Sequence, residues 1–383
     1  MKIGIFTDTY HPQVNGVVTS IQMLERELTA RGHSVYIFTT TDPKDRRKHP
    51  RVFRLPSIPF VFLPSMRMTI AYPPALLFKL RKLNLDVIHT QTEFPVGIFG
   101  KLVSKTTRTP LVHTYHTMYE DYVHYIAKGH LIKRKTAQSY SRIFCNSAQI
   151  VIAPVEKAKA SLRSYGVVKP IEVIPTGIDF EPFRKYTEAD ALEARRELGI
   201  DAETPVVVYV GRVAREKNID VVIKQFSVLR KELPRAKLVI VGGGPYLSEL
   251  VKLTNGLELE NSVVFAGVKP WAEIGKYYKL GDIFITASTS ETQGLTYIEA
   301  MASGTPVVAK LDKSVEDVLT DGETGYTFAD DDQAAAVMHR ALTDPEGRAK
   351  VAETALASIG RFSSSRFAES LEDVYIRALM GRT

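Results

Sequence analysis

Short, almost uninterrupted apolar runs alternate along the chain with stretches whose apolar residues recur every three or four positions. In the first half, Lys2–Asp8, Val35–Thr41, Asp86–Thr92, Pro110–His116 and Ile150–Val155 read as strands. Hydrophobicity that continuous in runs so short predicts burial on both faces, as in a parallel sheet. Between the first two runs, Val17, Ile21, Leu24 and Leu28 stand at i, i+4, i+7 and i+11, predicting one amphipathic helix that ends near Gly32. The second half repeats the arrangement, with Val206–Val210, Leu238–Val241, Val263–Ala266, Ile283–Ala287 and Pro306–Ala309 as strands. The expected fold is α/β, two doubly wound domains with ligands at the carboxyl ends of their strands. The boundary is expected within Ile174–Asp179, giving domains 1–178 and 179–361. A closing helix in 362–383 has Phe367, Leu371, Val374 and Leu379 as its apolar stripe.

One stretch breaks the pattern. Ile58 to Phe78 is 21 residues with a single charge, Arg67, close to the ~20 residues that span a bilayer. Pro59, Pro64, Pro73 and Pro74 interrupt it, so no continuous helix can satisfy its own backbone in lipid. Spanning is not expected, while lying on a membrane surface stays open.

Composition narrows the class. The 383 residues are 44% hydrophobic and 24% charged, which excludes a disulfide scaffold, a coiled coil and a disordered chain. Cys145 is the sole cysteine, so no internal disulfide or cysteine-based zinc site can form, and a reducing compartment is expected. Met1-Lys2-Ile3-Gly4-Ile5-Phe6 enters a strand directly, without the apolar run and cleavage site of a signal peptide. The net charge of +7 conceals a division. Residues 1–178 hold 25 Lys and Arg against 11 Asp and Glu, a balance of +14, whereas the remainder holds 25 against 32, a balance of −7. A basic half suits nucleic acid, an anionic membrane or a phosphorylated ligand, and charge alone does not choose among them.

The densest chemistry lies in Ser290–Pro306. A buried strand precedes it and a helix is expected from about Gly294 to Gly304, so Gly294, Leu295 and Thr296 present free amides at the positive end of a helix, a phosphate site. Glu291 and Glu299 flank these amides with E-x7-E spacing. They are either site carboxylates or a capping acid and a solvated helix residue. Arg212, after Gly211 at a strand end, and Lys217 five positions later can converge on the same edge, as a diphosphate requires. The Gly242-Gly243-Gly244 turn allows close backbone approach at Gly243 but lacks the full dinucleotide fingerprint. In the first half, Gly16 opens a helix after Asn15, as a phosphate or sugar contact or simply as a turn glycine. His116 follows His113 at a strand exit, amid tyrosines and acids denser than a core segment needs. Asp330-Asp331-Asp332 precedes an alanine-rich helix and reads as a cap, not as a metal site.

Taken together, Asn15-Gly16-Val17, His116, Val173–Asp179, Arg212…Lys217 and Glu291-x7-Glu299 with Gly294-Leu295-Thr296 resemble the GT-B, family 4 retaining glycosyltransferases, in order and over nearly the whole chain. Phe6–Gln13 and His116–Tyr125 are similar, more narrowly, to the bacterial diacylglycerol glucosyltransferases. The resemblance implies two Rossmann-like domains facing across a cleft, with the C-terminal helix crossing back to the N-terminal domain. It implies UDP-glucose as donor, diacylglycerol as acceptor, and neither a metal nor a tightly bound cofactor. By the same resemblance, Arg212 and Lys217 neutralise the diphosphate, while the amides around Gly294–Thr296 and Gly16 hold phosphate oxygens. Glu299 then binds ribose, Glu291 the donor sugar, and His116 that sugar from the other domain, with Gly243 also on the nucleotide.

Such an acceptor stays in its bilayer, so a peripheral enzyme on the cytoplasmic face of the membrane is expected. Arg46, Arg47, Lys48, Arg51, Arg54 and Arg67 surround Ile58–Leu63, and Lys128, Lys133, Arg134 and Lys135 follow Tyr122–Ile126. Each basic residue at an anionic surface contributes on the order of 1 kcal/mol. The other reading is a solvated surface over a buried apolar loop. Among related activities, phosphatidylinositol mannosyl and sulfoquinovosyl transfer stay open. A nucleic-acid-binding protein is suggested by basicity alone, without a reader motif, and no nucleic-acid partner is expected.

Overall fold

The structure, a computed structural model, describes residues 1–13, 15–45, 49–60, 63–116, 134–289, 291 and 293–381. The chain forms two compact units, residues 1–177 with 364–383, and residues 178–363. Each is an α/β unit built on a parallel sheet.

In the first unit the strands are β1 (Lys2–Phe6), β2 (Ser34–Thr40), β3 (Val52–Leu55), β4 (Ser57–Phe60), β5 (Leu63–Thr69), β6 (Val87–Thr90), β7 (Leu111–Thr114), β8 (Ile150–Ala153) and β9 (Ile171–Val173). Seven of them make one parallel sheet in the order β3-β2-β1-β6-β7-β8-β9. One face packs Phe6, Phe38, Phe99 and Leu111, with Phe6 stacked on Phe38 at 4.4 Å and Phe38 on Phe53 at 5.0 Å. Ile3, Ile5, Val35, Ile37 and Val87 form the other face, covered by the helices Gly16–Ala30 and Ser364–Met380. The C-terminal helix therefore returns to the N-terminal unit, burying Phe367, Leu371, Val374 and Tyr375 there. Each such side chain contributes about 1.5–3 kcal/mol on burial. At its start, Ser364 Oγ donates to Glu27 Oε1 at 2.9 Å, and about two turns in, Glu372 lies 3.0 Å from His33 Nε2.

The second unit holds β10 (Val206–Val210), β11 (Lys237–Val241), β12 (Val263–Gly267), β13 (Ile283–Thr286), β14 (Val307–Lys310) and β15 (Tyr326–Phe328), a parallel sheet ordered β12-β11-β10-β13-β14-β15.

Strands β3, β9 and β15 were not anticipated. All three are sheet-edge strands of three or four residues, too short and too mixed in polarity to stand out. The Ile58–Phe78 stretch forms the antiparallel pair β4–β5 and the start of the helix Pro74–Leu83, with Ile58, Ile70 and Phe78 exposed. Among the described residues, no helix is long and apolar enough to cross a membrane.

Candidate active site

Both sheets reverse their winding direction beside the first strand, between β10 and β13 in one unit and between β1 and β6 in the other. Connections leaving the two strands there diverge to opposite faces, and the crevice between them is where such folds bind ligands. The candidate residues gather at these two points.

In the second unit, Gly211 and Arg212 follow β10. Gly242, after β11, has φ +139°, and a Cβ there would lie 1.9 Å from the Gly211 carbonyl oxygen, so the two turns meet backbone to backbone. Gly243 sits in this turn and its carbonyl accepts from the Val213 amide at 2.9 Å. Lys217 ends a short 3-10 turn, and Asn218 Nδ2 donates to the Ala287 carbonyl at 3.0 Å, tying that turn to the end of β13. Lys217 Nζ thereby reaches Glu291 Oε1 at 2.5 Å. Arg212 is instead bonded to Glu216, with its side chain half exposed. Tyr209 sits between them: its hydroxyl donates to the Arg212 carbonyl at 3.1 Å, and burial together with the negative Glu291 raises its pKa above the ordinary tyrosine value.

The helix Leu295–Ala302 begins at Gly294, whose φ is +68°. A Cβ on Gly294 would stand 2.2 Å from the Tyr297 ring, so no other residue fits this cap. The first-turn amides of Leu295 and Thr296 have no intrahelical acceptor, which makes this an anion-binding end. One turn deeper, Glu299 Oε2 accepts from the Tyr278 hydroxyl at 2.7 Å. Burial holds the Glu299 carboxyl above the usual carboxylate range; the Tyr278 bond opposes that and nearby Glu291 adds to it. Glu299 is thus not a solvated helix residue.

In the first unit the crevice is closed by Asp8. Its carboxylate accepts from Thr92 Oγ1 at 2.6 Å and from the Val96 and Gly97 amides at 3.0 and 3.4 Å, capping the helix Pro95–Thr107 from across the switch. Burial pushes Asp8 up to about 6, against those three hydrogen bonds. Asn15 caps the helix Gly16–Ala30 through Val18 N–H at 3.0 Å, and its Nδ2 donates to Thr9 Oγ1 at 2.8 Å, so the exposed Gly16 sits on a braced turn. His116, two residues past β7, places Nε2 2.6 Å from Gln91 Oε1. Burial and nearby His113 push it down to about 3, so the ring is neutral.

The structure thus brings Lys217, Glu291, Gly294 and Glu299 to one crevice, with Arg212 at its rim, and places Gly16 and His116 at the strand ends of the other unit. Sequence reading did not single out Asp8, Gln91, Tyr209 or Tyr278, because a polar residue at a strand end or in a helix acquires its role only from the partners the fold brings to it. Two supposed docking cations are already engaged: Arg54 bonds the Thr40 and His11 carbonyls and Asp45 at 2.9, 2.8 and 2.6 Å, and Arg67 bonds Ser57 twice, at 3.0 and 2.7 Å. Their planar forks are held by fixed carbonyl and side-chain oxygens. Arg46, Arg47, Lys48, Val61, Phe62, residues 117–133, Ser290 and Thr292 lie outside the described residues. Asp330 forms a capping box with Gln333, and Asp331 pairs with Lys310 at 2.7 Å. Among the described residues, no three His, Cys, Asp or Glu side chains group as metal ligands.

Comparison with known proteins places this geometry. Residues 14–182 match the model of glycosyltransferase family 4, and residues 190–357 that of the group 1 glycosyl transferases. The chain is 39% identical to an alpha-monoglucosyldiacylglycerol synthase of Streptococcus pneumoniae over 99% of this chain and 86% of that one. It is 33% identical to the protein of the same name from Acholeplasma laidlawii, over 98% and 97%. Among solved structures it is similar to HepE of Anabaena, with TM-scores of 0.81 to the UDP complex and 0.78 to the UDP-glucose complex, at 20% identity over 98% of this chain and 100% of that one. Two parallel-sheet α/β units are the fold of these neighbours, and by its similarity to these relatives and family models the chain belongs to glycosyltransferase family 4.

Proposed function

We propose that this enzyme transfers glucose, with retention, from UDP-glucose to the free hydroxyl of 1,2-diacylglycerol at an anionic membrane surface. The observation that carries the reading is near-full-length similarity to two alpha-monoglucosyldiacylglycerol synthases from different bacteria. The second unit's crevice suits the donor. A sugar joined to a diphosphate through its anomeric carbon needs a cation and a carboxylate side by side, as Lys217 and Glu291 are at 2.5 Å. Arg212 and the Gly294–Thr296 amides complete the phosphate shell, Glu299 takes the ribose, Gly243 lies against the nucleotide, and Gly16 and His116 serve the donor from the first unit.

The bond from the anomeric carbon to the β-phosphate oxygen breaks, and its electron pair stays with UDP. The acceptor oxygen bonds the same face of that carbon, and its proton passes to the departing phosphate. Charge growing on the diphosphate is met by fixed cations and amides, which lower the barrier without reorganising. The +14 N-terminal residues supply the membrane attraction.

The test offers UDP-glucose, UDP-galactose and GDP-mannose with diacylglycerol and phosphatidylinositol in vesicles, and identifies products by mass spectrometry and anomeric NMR. An α-glucosyl diacylglycerol is expected, with turnover reduced at least about tenfold in Lys217→Ala and Glu291→Ala. A β-linked product, or no lipid product from any donor, refutes the proposal.

A further inference from the structure

A line of buried side chains crosses the N-terminal sheet and ends on His116. Tyr375, on the C-terminal helix, places its hydroxyl 2.7 Å from His89 Nδ1, and His89 Nε2 lies 2.7 Å from Thr114 Oγ1. Gln91 holds its amide nitrogen 3.2 Å from both His89 ring nitrogens and its amide oxygen 2.6 Å from His116 Nε2. All of these are buried except His116, which is partly exposed at the strand end. An amide oxygen only accepts, so the proton of a neutral His116 must sit on Nε2, leaving Nδ1 as the acceptor nitrogen.

We propose that Gln91 is a positioning residue for glycosyl transfer: it fixes His116 as the Nε2–H tautomer, so that Nδ1 accepts a hydrogen bond from a donor-sugar hydroxyl. This rests on the reading that His116 meets the donor sugar. Gln91 is suited to the task because its own orientation is set from behind, by a histidine that the C-terminal helix holds through Tyr375. A hydroxyl at the position of Gln91 Oε1 would accept or donate and select no tautomer. The titratable groups facing the His116 ring are His113 on β7, itself paired with Glu93 at 3.2 Å, and His89 on β6.

The test has a spectroscopic and a kinetic arm, both on the full-length protein. In long-range ¹H–¹⁵N spectra of ¹⁵N-histidine protein, the signal lost in His116→Asn should show a protonated Nε2 and a bare Nδ1; a protonated Nδ1 overturns the proposal. Gln91→Leu should lower kcat roughly tenfold, the loss of one buried hydrogen bond, with little change in KM for UDP-glucose. Gln91→Glu sets a carboxylate against the ring and favours the imidazolium, so activity should fall on the acid side and recover as pH rises. That shift should vanish in the Gln91→Glu/His116→Asn double variant. If His116→Asn is impaired yet Gln91→Glu keeps the wild-type pH profile, the positioning role is wrong. Full turnover in His116→Asn would instead remove the reading of His116 on which it rests.

Discussion

Asp8 offers a quantitative check on how the first switch point is built. Its carboxyl is pushed from 3.8 up to about 6, chiefly by burial. A shift of about two units corresponds to about 3 kcal/mol at ~1.4 kcal/mol per unit. Between these two values the folded state keeps a proton that the unfolded chain has released, so stability falls as pH rises. The contribution of Asp8 is fully present below about pH 4 and lost above about pH 6. Asp8→Asn keeps the size of the side chain and an acceptor for the Val96 amide but carries no charge. Relative to wild type, the variant should therefore gain about 2 kcal/mol on going from pH 4.5 to pH 7.5, the rest of the difference falling below pH 4.5. Trp271 lies in the other unit, so fluorescence is blind to this change. Hydrogen exchange of peptides covering residues 2–13 and 87–107 reads the right unit, and groups common to both proteins cancel in the difference. A wild-type-to-variant difference that stays constant across this pH range would show that Asp8 ionises at its ordinary value, and that burial does not govern it.

Three further outcomes are expected. Leu371→Ala, at a fully buried position on the C-terminal helix, should destabilise the N-terminal unit by about 2–5 kcal/mol, seen as faster exchange in β1 and β2 with the second unit unchanged. Gly294→Ala forces a Cβ into the Tyr297 ring at a left-handed position and should raise KM for UDP-glucose several-fold while the circular dichroism spectrum is kept; unaltered kinetics would place the phosphate elsewhere. Sedimentation with anionic liposomes should decline as salt rises, since exposed charges are screened over ~10 Å at 0.1 M, and equal binding to neutral liposomes at high salt would contradict electrostatic docking.

How far the residues alone led varied with the range of the interaction. The glycine that starts the helix at Leu295 and the Asp330 cap are local devices, readable because a helix terminus imposes its own residue types within four positions. Strand cores such as Val206–Val210 were legible because burial on both faces leaves no polar position. Edge strand β3 was not, since Val52–Leu55 is apolar only in part and is a strand only because β2 offers it a ladder.

The chain sequence by itself determined two parallel α/β units, their helix termini and the family to which the motifs belong, because periodicity, caps and short motifs are encoded over a few residues. Tertiary structure alone decided which side chains meet. Lys217 is 74 positions from Glu291, Tyr278 is 21 from Glu299, Asp8 is 88 from Val96, and Tyr375 is 286 from His89. Those pairings depend on strand order, on the reversal of winding beside β1 and β10, and on a C-terminal helix that packs on the N-terminal sheet. Strand order emerges from how the whole chain buries its apolar faces, and no short window of sequence contains it.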